Sequence, residues 1–286
     1  MKYAGLYVVC LVLVIGNIFV WWDLLSSQTQ KVLAPSANNE TVAVREEVDQ
    51  PIVETTGSGP TIFVPILMYH YIRDYTNQDD QLGIGLSVAP SVFSQQLQDL
   101  KKAGYRSISL NDFAAKKYDS KSVVITFDDG YEDHYINALP ILKELGMTGT
   151  FFIVRNFVGT PGYMSRSQID ELRQSGMEIG GHSVGHKNLA NLEYEAAVRD
   201  ISTSLLGTDN IFCYPSGKYS PTTLDIVSGL GVMASVTTNY GIATDKSAVQ
   251  ELPRIRVKQA TNILKRISEE TLIAKSEKTT SQRTSD

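Results

Sequence analysis

The sequence predicts an α/β fold with parallel strands and helices packed outside them, either a barrel or an open doubly wound sheet. Between residues 61 and 274, short apolar runs alternate with amphipathic, helix-like segments. Polar side chains come directly after several of the apolar runs, at His70, Asp128, Asp129, His182, 214–217 and 237–238. Because the carboxyl ends of the strands of a parallel barrel meet at one rim, we expect these residues to line one cavity.

The predicted strands are runs rich in β-branched and aromatic residues, at 62–69, 107–110, 123–127, 148–154, 177–180, 211–214, 232–237 and 252–257. The predicted helices have an apolar side, as Phe93, Leu97 and Leu100 illustrate for the first of them. They cover residues 91–103, 136–145, 167–175, 193–206 and 221–230, with a last helix from about 261.

Residues 1–23 predict a membrane anchor. The run 3–22 carries no charge, and about 20 apolar residues are enough to cross a bilayer. Lys2 before the run and Asp23 after it favour an N-terminus inside the cell and a body outside it. A cleaved signal peptide is the alternative, because residues 33–37 include small side chains. We therefore expect a single-pass protein of the cell membrane with an extracellular domain, or a secreted protein if the segment is cleaved.

The remaining chain divides into a polar linker at 24–60, a folded domain at 61–274 and a disordered tail at 275–286. The linker is rich in Gln, Ser, Asn, Thr and Glu and cannot bury enough apolar surface to fold. The net charge of −5 gives no basic surface for nucleic acid. The two cysteines, Cys10 and Cys213, do not suggest a disulfide framework or a thiolate zinc cluster, so a metal would need His and carboxylate ligands.

Two motifs point to a metal site. The first, at 126–130, places Asp128 and Asp129 at the end of a strand, followed by a glycine that lets the backbone turn. In the second, His182 and His186 are four residues apart and would share one face of a helical turn. One carboxylate and two imidazoles can hold a tetrahedral ion and leave one position free for water. The alternatives are a turn or helix cap for the acids, and a structural metal or a satisfied buried pair for the histidines.

With these motifs the sequence resembles the polysaccharide deacetylases, the carbohydrate esterases that share the NodB homology domain. Matching segments at 67–70, 138–142 and 149–152 extend the resemblance over about residues 65–257. It implies a distorted (β/α) barrel, here with about seven strands. It also implies a divalent metal ion, with Zn²⁺ expected, held by an Asp and two His, and the removal of acetyl groups from N-acetylated sugars.

The sequence departs from the family pattern at two motifs. The usual Arg-x-Pro-Tyr has Cys213 at the Arg position and Ser216 at the Tyr position, and the segment 252–256 lacks the usual general-acid histidine. This pattern is similar to the branch that deacetylates poly-N-acetylglucosamine, in which a His after the first strand acts as the acid, and His70 matches that position. Arg254 could pair with Asp128 in place of the absent arginine; a surface or structural pairing is the alternative.

The resemblance and the motifs together assign a role to each candidate. Asp129, His182 and His186 are the expected metal ligands, Asp128 the general base and His70 the general acid. A backbone N–H near Ser216 is expected to stabilise the oxyanion. The substrate contacts are expected at Tyr214, Pro215 and Ser216. His134 is expected near a helix start, with the neighbouring acids serving the helix dipole.

The expected function is hydrolytic N-deacetylation of N-acetylglucosamine residues in an extracellular polysaccharide, with poly-N-acetylglucosamine favoured. Peptidoglycan and chitooligosaccharides are alternative substrates. A catalytically silent glycan-binding protein is an alternative of another class, suggested by the missing Arg and His. Retention of both carboxylates and both metal-site histidines argues against it. No pattern indicates the oligomeric state.

Overall fold

The computed structural model describes residues 60–283. The predicted anchor at 1–23 and all but the last residue of the predicted linker at 24–60 lie outside the described residues and remain predictions. Within residues 60–283, no helix combines the length and the apolar character needed to span a membrane.

The described part of the chain contains twelve strands and eight α-helices. The strands are β1 (Phe63–Val64), β2 (Ile66–Tyr69), β3 (Tyr71–Ile72), β4 (Ser87–Val88), β5 (Arg106–Ile108), β6 (Ser122–Phe127), β7 (Thr150–Ile153), β8 (Glu178–Gly181), β9 (Phe212–Cys213), β10 (Ser235–Tyr240), β11 (Ala243–Thr244) and β12 (Leu252–Arg256). The helices are α1 (Gln81–Leu86), α2 (Pro90–Lys102), α3 (Leu110–Ala114), α4 (Leu139–Leu145), α5 (Arg166–Gln174), α6 (Tyr194–Leu205), α7 (Pro221–Gly229) and α8 (Ile263–Arg283).

Seven parallel strands close into a barrel in the order β2, β12, β10, β9, β8, β7 and β6, because β6 pairs back to β2. In the closing pair Leu67 lies opposite Ile125, and Tyr69 lies opposite Phe127. Strand β5 joins the first half of β6 as an additional strand, whereas β7 pairs with its last two residues. The predicted distorted (β/α) barrel is confirmed, and the open doubly wound sheet is excluded.

The strands of the barrel are buried on both faces. Every residue of β6 is buried, as expected for a parallel strand covered on both faces. Phe127 packs in the same core cluster as Phe93, Leu97 and Leu100 of α2, which confirms the predicted apolar face of that helix. Val124 of the same strand belongs to a second core cluster, because successive strand residues point to opposite faces of the sheet.

Several element boundaries differ from the prediction. Leu110 begins α3 instead of ending a strand, because the Ser109 hydroxyl accepts a hydrogen bond from the backbone N–H of Asp112 and caps the helix. The helix predicted at 136–145 begins as a π-helical turn, His134–Ala138, before α4. Helix α8 continues to Arg283, past residue 274 where the sequence places the end of the folded domain. Residues 275–283 are therefore helical, contrary to the expected disorder.

Candidate active site

Most of the polar residues predicted to converge lie at the carboxyl rim of the barrel, whereas residues 237–238 lie within β10. His70 follows β2, Asp128 and Asp129 follow β6, and His182 follows β8. The backbone is strained at this rim, since Asp129 has φ 75°, and Ser216, after β9, has φ 52°. A left-handed conformation costs a non-glycine residue on the order of 1–3 kcal/mol, and such strain is concentrated at functional sites.

Asp129, His182 and His186 form a compact cluster of potential metal ligands. Asp129 Oδ1 lies 3.3 Å from Nε2 of each histidine. Two ligands at about 2.0–2.1 Å from one tetrahedral ion are separated by about this distance. Asp129 and His182 are buried, whereas the His186 side chain is 30% exposed. The donor set therefore fits a divalent cation such as Zn²⁺ with one side of the site open.

The two histidines lie in a turn, so the predicted helical geometry is wrong. Ser183 has φ 63° and His186 has φ 55°, conformations that a helix does not contain. The Ser183 hydroxyl accepts a hydrogen bond of 2.7 Å from the His186 N–H and closes the turn. The ring centroids are 5.0 Å apart. The pair thus meets at one point as predicted, through a different local structure.

A hydrogen bond from its other nitrogen orients His182. The Nδ1 atom lies 2.7 Å from the backbone oxygen of Cys213. Because a carbonyl oxygen only accepts, Nδ1 carries a proton, and Nε2 is the ring atom that faces Asp129. Metal-binding histidines commonly use a backbone carbonyl in this way to fix the tautomer.

Asp128 is paired with Arg254 from β12. Two parallel hydrogen bonds of 2.7 Å join the guanidinium to the two carboxylate oxygens. Arg254 is fully buried and donates further bonds to the Thr126 hydroxyl, at 2.9 Å, and to the Thr237 backbone oxygen, at 2.8 Å. It also donates to Cys213 Sγ at 3.3 Å. Arg254 therefore pairs with Asp128, which was one of the two alternatives for this residue. Its guanidinium lies next to Cys213, the residue at the usual Arg position.

The electrostatics of the site keep both acids ionised. Burial by itself would raise the pKa of Asp128, but Arg254 holds it well below its usual range. Burial likewise opposes ionisation of Asp129, and the hydrogen bond with His182 lowers its pKa to about 2. Each carboxylate is therefore negatively charged near neutral pH, in the form that accepts a proton or binds a cation.

His70 lies beside this acid pair. Its Nε2 is 3.8 Å from Asp128 Oδ2, and its side chain is 15% exposed. Burial lowers the pKa of His70, although the carboxylates of Asp128 and Asp129 oppose this effect. An imidazole titrates much closer to neutral pH than either of these carboxylates, so His70 can exchange a proton there.

The loop after β9 meets the prediction only in part. Tyr214 is fully buried, its hydroxyl donates to the Gln250 backbone oxygen at 3.0 Å, and its ring packs on Phe212 and Tyr219. Its side chain is therefore not available to a substrate, and the predicted substrate contact of this side chain is wrong. Pro215 is also buried, whereas Ser216 is exposed. A Cβ on Gly217 would lie 1.9 Å from Thr238 Oγ1, so the loop requires glycine there.

Aromatic side chains flank the metal-ligand cluster. Tyr131 packs between Tyr71 and Tyr163, with centroid distances of 4.2 and 5.1 Å. Burial and, next, the charge of Asp129 raise the pKa of the Tyr131 hydroxyl well above its usual value. The sequence did not distinguish these tyrosines from ordinary ones. A position shortly after a strand end was a signal for Tyr71 and Tyr131, which follow β2 and β6, but not for Tyr163.

The segment after the first motif contains polar residues that the sequence analysis misassigned. The Asp133 side chain makes no helix-capping hydrogen bond; it accepts a bond of 3.2 Å from the backbone N–H of Ile72. His134 is fully buried, and its Nε2 lies 2.5 Å from the His70 backbone oxygen. His134 does begin a helical turn, as expected, but Asp133 bonds to the Ile72 N–H and not to the N–H groups of that turn.

Comparisons with known proteins agree with this geometry. Residues 115–235 match the family described as polysaccharide deacetylase. YxkH from Bacillus subtilis (strain 168), whose name places it in the same family, is 32% identical over 206 residues, which are 68% of this chain and 71% of YxkH. The chain belongs to the polysaccharide deacetylase family. Membership makes this deacetylase a hydrolase that acts on carbon–nitrogen bonds other than peptide bonds.

A solved structure and a further curated relative extend the comparison. The deacetylase PplD from Streptococcus pyogenes, solved in complex with acetate, superimposes with a TM-score of 0.67 at 30% identity and covers 73% of this chain and 99% of its own. A poly-beta-1,6-N-acetyl-D-glucosamine N-deacetylase from Staphylococcus epidermidis is 23% identical over 224 residues, 67% of this deacetylase and 78% of the relative. IcaB from Ammonifex degensii has the same fold, with a TM-score of 0.60 at 24% identity over 69% of this chain and 92% of its own.

Replacing Arg254 by Met is expected to move the acid limb of the pH–rate profile to higher pH. Without the guanidinium, burial raises the pKa of Asp128, so this carboxylate becomes protonated at a pH where it is ionised in the wild type. An unpaired buried charge should also lower the free energy of unfolding by about 3–5 kcal/mol. The measurements are kcat/KM against pH and urea unfolding.

Arg254→Lys is the matched control, because it keeps the charge and loses the paired hydrogen bonds. Its acid limb should lie between those of the wild type and Arg254→Met. An identical acid limb in all three proteins would show that Arg254 does not control the ionisation of Asp128.

Proposed function

We propose that this polysaccharide deacetylase is a metal-dependent enzyme that removes acetyl groups from N-acetylglucosamine residues of an extracellular polysaccharide, with poly-N-acetylglucosamine favoured. The observation that supports it most is a second carboxylate, Asp128, which is paired with Arg254 and lies beside a three-ligand cluster with an open side. The choice of polymer is supported by the missing arginine of the Arg-x-Pro-Tyr motif and by the relative from Staphylococcus epidermidis, which is named for that substrate.

The substrate sets two chemical requirements. An acetamide carbonyl is a poor electrophile, and the amine is a poor leaving group. Asp129, His182 and His186 would hold a divalent ion, with Zn²⁺ expected, which when bound polarises a carbonyl and lowers the pKa of water to about 7.

The remaining residues handle the protons and the developing charge. Asp128 accepts the proton of the attacking water, and its two bonds to Arg254 fix the direction of the carboxylate. The backbone N–H of exposed Ser216 is the proposed donor to the oxyanion, so the missing Tyr side chain is not needed. His70 then protonates the departing amine from its position next to Asp128.

A silent glycan-binding protein is the competing function. It was suggested by the missing general-acid histidine and by the missing arginine of the Arg-x-Pro-Tyr motif, which in the family steadies the base. Arg254 holds Asp128 through two hydrogen bonds, so the base is steadied from another strand. This contact favours an active enzyme.

Release of acetate tests the proposal. The zinc-loaded protein should release acetate from poly-N-acetylglucosamine faster than from chitin oligomers or peptidoglycan. A chelator should stop the reaction, and added Zn²⁺ should restore it. Faster release from chitin oligomers or from peptidoglycan would replace poly-N-acetylglucosamine as the proposed substrate. No acetate from any of the three, with glycan binding retained, would establish the silent binder.

The extracellular location depends on the predicted anchor at residues 1–23 and linker at 24–60. We propose that they place the deacetylase domain outside the cell membrane, where a secreted polymer is accessible. Fractionation of cells combined with protease treatment of intact cells tests this. A domain found in the cytoplasmic fraction would contradict it.

A further inference from the structure

We propose that Asp133, His134 and Asn137 form a polar clamp that positions His70 for proton transfer to the leaving amine. The inference rests on the proposed function, in which His70 is the general acid. The polar clamp lies in the segment that follows the first motif, and none of its members belongs to the metal-ligand cluster.

The polar clamp binds the backbone of the segment that begins with His70. His134 Nε2 lies 2.5 Å from the His70 backbone oxygen. Asp133 Oδ2 accepts a hydrogen bond of 3.2 Å from the Ile72 N–H, and Asn137 Nδ2 donates one of 2.7 Å to the Ile72 oxygen. Three side chains thus fix three consecutive peptide groups, those that join residues 70–71, 71–72 and 72–73.

The protonation of His134 follows from its surroundings. It is fully buried among Phe127, Tyr131 and Phe151. Burial lowers its pKa, so the ring is neutral near pH 7. Because the His70 carbonyl only accepts, Nε2 carries the proton and donates it.

His134 also makes the folded protein less stable than an apolar residue would at this position. Within the described residues, its Nδ1 has no hydrogen-bond partner, although it is buried. Such an unsatisfied group costs about 1–3 kcal/mol. A leucine here would pack in the same aromatic surroundings without this cost, but it could not hold the His70 carbonyl.

The local backbone is unusual and explains how the three side chains reach one segment. Residues His134–Ala138 form a π-helical turn, a rare conformation that is frequent at functional sites. His134 and Asn137 lie on the side of the turn that contacts residues 70–72, whereas the Ile136 side chain is 56% exposed. The turn therefore separates a binding side from a solvent side.

Positioning matters at His70 because proton transfer depends on short, aligned distances. A displacement of about 1 Å at a reacting group can lower a rate by roughly 100-fold. Loss of the polar clamp would displace the segment after β2, whereas the metal ligands follow β6 and β8. We therefore expect acid catalysis to fail while the metal site stays intact.

The test compares two substrates that differ in their need for an acid. An N-acetylglucosamine oligomer has a poor amine leaving group, whereas p-nitrophenyl acetate releases a phenolate that needs no proton. The variants are His134→Leu and Asn137→Asp, which remove one donor each, with His70→Ala as reference. Ile136→Ala in the same turn is the matched control. The kcat on each substrate, KM and zinc content are measured for every variant.

His134→Leu and Asn137→Asp should lower kcat on the amide by roughly 10- to 100-fold, with a much smaller effect on the ester and unchanged zinc content. His70→Ala should show the same selective loss, and His134→Gln, which retains an N–H at the position of Nε2, should recover part of the amide activity. Ile136→Ala should behave as the wild type. Asn137→Asp keeps the test valid if His134→Leu does not fold.

The polar clamp would be overturned if both clamp variants lost kcat equally on the amide and the ester, or if neither variant lost kcat. A selective loss of amide activity in His70→Ala would still leave the proposed function standing in that case. If His70→Ala itself hydrolyses the amide and the ester in the wild-type ratio, the acid assignment in the proposed function fails, and the inference built on it fails with it.

Discussion

Asp128→Asn is expected to lower kcat for deacetylation by about 100- to 10,000-fold, the usual contribution of a general base. The amide has nearly the shape of the carboxylate but cannot accept the proton of the attacking water. Zinc binding should persist, because the other three residues form the ligand cluster. Acetate release and zinc content, measured on the same protein sample, check both parts.

Stability must be measured alongside activity in Asp128→Asn. Arg254 is fully buried and would lose its counter-charge, which should lower the free energy of unfolding by about 3–5 kcal/mol. Asp112→Asn, at an acid whose side chain is 43% exposed, is the matched control; it should leave turnover unchanged and alter the free energy of unfolding by less than about 1 kcal/mol. Wild-type turnover in correctly folded Asp128→Asn would remove Asp128 from the role of base.

Asp129→Ala is expected to abolish both metal binding and turnover. Asp129 Oδ1 is within 3.3 Å of both imidazole Nε2 atoms, so its removal leaves two neutral ligands and no charge to balance the cation. Zinc content after dialysis and acetate release are the measurements.

A second variant separates loss of the ligand from strain in the backbone. Asp129 has φ 75°, a conformation that alanine adopts poorly and asparagine tolerates. Asp129→Asn should therefore fold as well as the wild type and still lose zinc affinity, because the negative charge is gone. Full zinc affinity in Asp129→Asn would contradict the assignment of the carboxylate as a ligand.

The barrel strands and the convergence of the two motifs could be predicted because both depend on local sequence patterns. Strand β6 consists mainly of β-branched and aromatic residues, and Asp128 and Asp129 follow it directly. Once the strands are parallel, their carboxyl ends share a rim, and the acids and histidines meet there. The family resemblance added two expectations, that the sheet closes into a barrel and that each candidate residue has a particular catalytic or metal-binding role.

The partners of the site residues could not be predicted in the same way. Arg254 and Asp128 are 126 positions apart, and their contact exists only because β12 and β6 both flank β2 in the closed barrel. The sequence left this pairing as one of two alternatives. Tyr214 follows a strand like the true rim residues, but its ring turns into the core to satisfy its hydroxyl at Gln250.

The polar clamp was missed for a related reason. Asp133 and His134 stand at the start of a helical segment, where acids usually serve the helix dipole. Their actual partners lie more than sixty positions earlier, at Ile72 and His70. A π-helical turn, which no sequence pattern indicated, directs them there.

The zinc-to-protein ratio, measured after chelation, reloading and dialysis, tests the central claim most directly. The wild type and Asp128→Asn should each bind one zinc ion per chain through Asp129, His182 and His186, and Asp129→Ala should bind none. One zinc ion per chain in Asp129→Ala, bound with wild-type affinity, would contradict the account.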